Sequence, residues 1–394
     1  MANRAGSGSS SIGDTRAAVT EAVTQALKTL GSQQPRLGFL FVSARHELKA
    51  ALEACKALAK GCEMVGCQTA GEFTERGLTR GGLSVLLLAS DSMVFDVAWA
   101  GGMKSDHEAT ARALCSRFAE VTREAGAKGL GLSTTVLLVD GLAGTGERVV
   151  KEVMHGTRMF QQVVGGAAGD DGAFKATQVG ARGNATADSA AAVHVFDRVN
   201  WGIGVDHGLR PKTQRMTVTK AKQNVVYELD GKPAFDVYKA YAAGKGVKLE
   251  PATAGTFLIG NELGVFFLDE LHHARAPVGV GDKGELKLVA DISEGASVCI
   301  LDGEPDAMVE ACGRAAREAK ENLRGAECAG VLVFDCVCRG MILGDKFQRE
   351  IEAVRQVFPD VPVAGFLTYG EIARFRGRLD GWHNTTTVVA AIPA

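Results

Sequence analysis

At 394 residues the chain is too long for one ordinary hydrophobic core, so two domains are expected. Apolar residues at 46% and charged residues at 23% mark a globular protein, and 44 basic side chains against 46 acidic ones leave a net charge of −2. No basic block stands out and aromatics are only 6%, which excludes a phosphate-neutralising or base-stacking nucleic-acid surface from the expectations.

Met1 to Ser11 is small and polar and predicts a loose tail, so that residues 1–13 count as flexible. Asp14 is placed to cap a helix running to Leu30, with Gly31 to stop it. Leu37 to Val42 is a continuous apolar run, as in a strand buried on both faces. A helix follows from Glu47 to Lys60, then the phrase Val65-Gly66-Cys67-Gln68-Thr69-Ala70-Gly71-Glu72-Phe73, then strands over Leu83–Ala89 and Val94–Ala100.

The pattern restarts at Thr135 to Asp140. A helix from Glu147 to about Gln162 leads to Val163-Val164-Gly165-Gly166-Ala167-Ala168-Gly169-Asp170-Asp171, a copy that fits with one residue deleted. Ala190 to Phe196 repeats the strand that follows the first phrase. Different material comes next: a Gly-Pro-basic boundary at Gly208–Gln214, strands over Leu258–Leu268, Leu286–Asp291 and Ser297–Leu301, and a helix from Pro305 to Leu323. The third restart is Gly330 to Asp335, with a helix over Lys346–Phe358, the phrase Ala364-Gly365-Phe366-Leu367-Thr368-Tyr369-Gly370-Glu371-Ile372, and a closing strand over Thr385–Ile392.

Strands alternating with helices predict an α/β fold: two pseudo-duplicated lobes with mixed, largely parallel sheets, divided as 14–210 and 211–394. Open α/β sheets bind ligands at the carboxyl ends of their strands, where the repeated loops gather. The phrases follow helices, unlike dinucleotide or phosphate-binding glycine loops, which precede them. Gly66, Cys67, Thr69, Gly71, Glu72, Asp140, Gly166, Asp170, Thr368, Tyr369, Gly370 and Glu371 are therefore the candidate ligand-binding residues.

Asp335-Cys336-Val337-Cys338-Arg339-Gly340 extends a buried strand in this reading. Alternation puts Cys336 and Cys338 on one face and Arg339 on the other, as an anchor for a ligand carboxylate. Cys336 and Arg339 join the candidates, and Glu72, Asp170 or Glu371 would receive an amine. The C-x-C spacing lacks the second pair of a zinc site, and no metal is predicted. Cys67 or Cys336 is a nucleophile only with a histidine that sequence does not place, so no enzyme activity is expected. Nine scattered cysteines without an export signal predict free thiols in a cytoplasmic protein, and no run of about 18 apolar residues predicts a membrane span.

Taken together, these motifs resemble FIST-domain proteins. The two N-terminal phrases are similar to that family's N-terminal half. Leu229-Asp230-Gly231-Lys232-Pro233-Ala234, Phe334-Asp335-Cys336, Arg339-Gly340, Tyr369-Gly370-Glu371-Ile372 and His383-Asn384-Thr385-Thr386 are similar to its C-terminal half. Leu367 stands where a small polar residue is expected, and the final motif reads His383-Asn384-Thr385-Thr386 where glutamine is expected before the threonine. The resemblance implies a bacterial signal-input domain for a small, amino-acid-like ligand or small carboxylate, with His383 and Asn384 in the site. With no output segment after Ala394, it implies a separate signalling partner such as a histidine kinase. The alternatives it leaves are a haem-bound nitric-oxide sensor, with His383 or else His272 or His273 on the iron, and a protein-interaction scaffold. No other cofactor is implied.

Overall fold

The computed structural model describes residues 3–157, 162–267, 270–375 and 381–394, with the side chains of 270–272 outside that description. It is a mixed α/β structure that separates into two compact units. The first comprises Met1–Asp206, Val309–Trp382 and Thr386–Ala394; the second comprises His207–Met308 with His383–Thr385. The Gly-Pro-basic boundary thus falls at the first crossing between units, but the chain returns to the first unit a hundred residues later.

Within the first unit one block occurs three times. Each has an outer strand, a helical segment, a lead strand, a second helical segment, a second strand, a short hairpin and a return strand. In the first block the lead and second strands are Leu37–Ser43 and Glu63–Thr69, joined by the helix Leu48–Leu58. The second block uses Leu132–Val139 and Gln162–Ala167 around the helix Gly146–Gly156. The third uses Cys328–Cys336 and Val363–Thr368. All three pairs are parallel, as the continuous apolar runs predict. The return strands Leu83–Ala89, Ser189–Asp197 and Thr387–Pro393 pair antiparallel with their lead strands.

The hairpins are exchanged. Glu72–Thr74 leaves the first block and pairs with Val363–Thr368 of the third. Glu371–Arg374 leaves the third and pairs with Gln162–Ala167 of the second. Val179–Ala181 leaves the second and pairs with Glu63–Thr69 of the first. Three six-stranded sheets result, each closed by a neighbour's hairpin, around one core that includes Phe39, Phe41, Val136, Leu138, Phe334 and Phe366. The weaker middle copy is a full member of this ring.

The expected loose tail is instead the outer strand Arg4–Ser10, paired in register with Leu83–Ala89. Its small residues are what the packing requires. A Cβ on Gly6 would lie 2.1 Å from the Ala26 carbonyl oxygen, and one on Gly8 1.9 Å from that of Ala22, both in the helix Thr15–Leu30. The outer strand of the third block, Gly202–Asp206, repeats the arrangement: Gly202 and Gly204 sit against Ala319 and Ala315 of the helix Pro305–Asn322. Asp14 caps the first helix through Ala17 N, as the sequence predicts.

The second unit is inserted between that outer strand and its helix. Its antiparallel sheet includes Met216–Lys222, Val225–Leu229, Leu263–Phe267, Glu270–Arg275 and Ser297–Asp302, packed with the helix Ala234–Gly244 around Phe235, Tyr238, Leu258 and Ile300. The strand expected from Leu258 begins only at Leu263, because Gly255–Gly260 forms a short helix. The helix expected to reach Gln162 ends at Gly156, and Gln162 opens the next strand; residues 158–161 and 268 lie outside the described residues.

Candidate functional site

The three phrases meet, and they meet each other. Ala70 N donates to Leu367 O (3.0 Å) and Leu367 N to Gly71 O (2.8 Å). Ala167 N donates to Gly370 O (2.8 Å) and Tyr369 N to Ala167 O (3.1 Å). Gly169 N donates to Gln68 O (2.9 Å) and Asp171 N to Thr69 O (2.8 Å), which closes the ring. Glycine is needed here chiefly for close approach. A Cβ on Gly370 would fall 2.3 Å from the Trp382 ring, and one on Gly169 2.7 Å from Ala70 N. Gly71 also has a φ of 145°. Gly66 and Gly166 are packed as tightly, against the Leu40 carbonyl oxygen and the Thr368 methyl.

The carboxylates of the ring are internal clasps. Glu72 is fully buried and receives the Thr69 hydroxyl, the Thr79 hydroxyl (3.4 Å) and Gly82 N (3.3 Å). Burial outweighs these donors and raises its pKa to about 8. Glu371 is held by Thr368 Oγ1 (2.6 Å), Thr386 N (3.0 Å) and Thr386 Oγ1 (2.9 Å), and burial raises it to about 7. Asp170 differs: burial alone would raise it, but the Tyr369 hydroxyl and the amides of Phe174, Lys175 and Ala176 hold it below its ordinary value. Asp140 receives the Thr177 hydroxyl and the amides of Leu142 and Asp188.

Arg339 does not face these groups as a ligand anchor. The strand ends at Cys336, and Val337–Leu343 is a helix, so Cys336 and Cys338 do not share a strand face. Arg339 is fully buried, its Nε 2.9 Å from Asp335 Oδ1 and its terminal nitrogen on Glu350. Burial alone would lower its pKa, but these two carboxylates raise it. Cys312, Asp335 and Glu350 lie together as a metal site would require, yet the Arg339 guanidinium already supplies the cation there. Cys67 is in the core, and burial together with Glu72 pushes its thiol well up, opposite to the activation a nucleophile needs.

A second set of candidates stands apart from the ring. His383, Asn384 and Thr385 belong to the inserted unit and are buried. Thr385 has a φ of 55°, a left-handed conformation that is an outlier for a β-branched residue and collects at functional sites. Its hydroxyl donates to Glu262, a carboxylate only 1% exposed. His383 packs edge to face on His273, ring centroids 5.5 Å apart. Asn384 Nδ2 donates to the His383 carbonyl (2.9 Å), while Asn384 Oδ1 is buried without a hydrogen-bond partner among the described residues. The Tyr238 hydroxyl, also buried and unpartnered, lies in the field of Glu262, and burial with that charge raises its pKa well above the ordinary value. Sequence reading passed over Glu262 and Tyr238. A visible signal was the polar pair Asn261-Glu262 interrupting the apolar stretch Leu258–Leu268.

The haem reading puts His383, or else His272 or His273, on the iron; the His272 side chain lies outside the described residues. Among the described residues no helix is long and apolar enough to cross a membrane.

Comparison with known proteins bears on this geometry. A stretch of 197 residues is 26% identical to an uncharacterized protein of Methanocaldococcus jannaschii, covering 49% of this chain and 38% of that protein. The chain thus spans well under half of that relative's length. Structures of Thermotoga maritima PurL complexed with ADP and with FGAR align over 99% of this chain and 72% and 73% of theirs, at 11% and 10% identity and TM-scores of 0.23 and 0.24, too low to carry any inference. The FIST N domain matches residues 36–232 and the FIST C domain residues 234–374. The chain belongs to the FIST family, whose domains are generally signal-transduction sensors.

Proposed function

We propose that this chain is the ligand-sensing input of a signalling pair, binding a small organic molecule at the His383-Asn384-Thr385 turn of the inserted unit and acting through a separate output protein. The observation that carries the reading is the combination at that turn: Thr385 held in a left-handed conformation on Glu262, beside an Asn384 Oδ1 buried without a hydrogen-bond partner among the described residues. An unmet buried carbonyl costs about 1–3 kcal/mol, and a β-branched residue at positive φ about as much again. Such strain persists where it is used. The phrase carboxylates support the reading by contrast, since each is taken up by hydroxyls and backbone amides of its own unit.

The reading is one of binding without turnover: Cys67 is buried and its thiol raised, and Cys336 is buried with its thiol hydrogen-bonded to Glu371. A thermal-shift screen of amines, small carboxylates and amino acids tests it, because a ligand that binds only the native state raises the melting temperature. A hit whose affinity is unchanged in a folded Asn384→Ala variant removes this turn from the site. Copurification of a histidine kinase or another output protein tests the second half of the proposal.

A further inference from the structure

We propose, independently of the ligand site in the inserted unit, that Cys62 and Met64, with Cys55 as a third donor, hold a soft monovalent metal ion of the Cu(I) class in the first block of the ring. The three sulfurs gather where the helix Leu48–Leu58 ends and the strand Glu63–Thr69 begins. The chain doubles back there: Ala59 N donates to Cys55 O (2.8 Å) and Cys62 N to Ala59 O (3.0 Å). Cys62 thus returns beside Cys55, near enough that the charge of its thiolate raises the Cys55 thiol. Cys62 Sγ lies 3.6 Å from Met64 Sδ. The strand Leu37–Ser43 leaves a place for that thioether: Gly38 pairs with Met64, and a Cβ on Gly38 would fall 2.5 Å from Met64 Sδ.

Thiolate and thioether sulfurs are soft ligands that select Cu(I) over the hard cations. Two metal–sulfur bonds of about 2.3 Å, meeting at about 100°, span sulfurs 3.6 Å apart, so Cys62 and Met64 close on one ion as they stand. Charge decides the valence. All three residues are buried, and burial pushes the Cys62 thiol up to about 12, so the pair of thiols is neutral without metal. A monovalent ion that takes the place of the Cys62 thiol proton, with that proton released to solvent, leaves the buried site neutral again. A tetrahedral zinc site is not completed, because among the described residues no histidine, carboxylate or further cysteine joins Cys55 and Cys62 at ligand distance. Met64 also lines a cavity of about 220 Å³ that gives a small ion a way in, with Glu53 and Glu63 set against Lys49, Lys56 and Arg182 around it.

The test titrates the reduced, metal-free full chain anaerobically with Cu(I), supplied as its acetonitrile complex, against the chromophoric chelator bathocuproine disulfonate. The chain is expected to withhold one Cu(I). Affinity is expected to fall by about tenfold or more in Met64→Leu, which keeps the volume, and in Cys62→Ala, and to stay unchanged in Cys328→Ala, with folding checked by circular dichroism. Should Cys62→Ala fail to fold, Met64→Leu decides alone. No Cu(I) withheld, or equal affinity in the folded Cys62→Ala and Met64→Leu variants, overturns the site. Unchanged affinity in Cys55→Ala removes the third donor. Tighter binding of Zn(II), measured with a zinc indicator dye and lost in Cys62→Ala, overturns the monovalent assignment.

Discussion

Arg339 shows how a residue type is read correctly and its role is not. A lone arginine beside glycine turns suggested an anion anchor, but the chain turns helical at Val337 and carries the guanidinium inward onto Asp335 and Glu350. Removing one partner of a buried ion cluster strands the others. Arg339→Ala is therefore expected to lose about 3–5 kcal/mol of stability, measured by urea denaturation. A folded variant of near wild-type stability refutes the structural assignment. Gly370 is a second case. The obstacle to a side chain there is the Trp382 ring, not the backbone angle, so Gly370→Val is expected to lose about 1–3 kcal/mol or more through overpacking. The companion variant Gly370→Val/Trp382→Ala should recover part of that loss; no recovery would show that the contact is not the cause.

Elements were legible where burial dictates composition. The lead strands are apolar on both faces and the first helix carries its cap and stop, so both could be placed from sequence. The outer strand was not, because residues chosen to let a helix backbone approach within van der Waals contact look like linker: Ala5-Gly6-Ser7-Gly8-Ser9. Gly8→Val should accordingly lower the melting temperature and speed amide exchange along Leu83–Ala89, read by hydrogen-exchange mass spectrometry; unchanged exchange there would contradict the pairing. The exchanged hairpins were invisible for a different reason. Their strands are two to four residues long, too short for periodicity, and their partners lie in another block. The end of the short helix Gly255–Gly260 falls inside the strand expected over Leu258–Leu268, because an apolar run that brief fits either period.

At the scale of the molecule, three copies of one block close a ring of sheets, and the repeated phrases are its seam. The repeat was plain in sequence; that its polar groups bind each other was not, since spacing gives no information on which loop meets which. The seam makes stability depend on pH. Glu72 at about 8 and Glu371 at about 7 hold their protons in the folded state above the ordinary value of 4.5. Their contribution is whole below about pH 4.5 and is lost as pH rises through 7 and 8, at up to about 1.4 kcal/mol per unit for each group. Urea midpoints should fall over that window, and less so in Glu72→Gln; a flat profile in the wild type, once Asp170 and the other carboxylates have titrated, would contradict the seam's protonation. The account as a whole places recognition in the inserted unit and structure in the ring. Hydrogen-exchange mass spectrometry with and without the amine, small carboxylate or amino acid that the thermal-shift screen returns tests that division most directly. Added protection is predicted within 207–308 and at His383–Thr385, with the phrases around Glu72, Asp170 and Glu371 unchanged; protection confined to those phrases would contradict it.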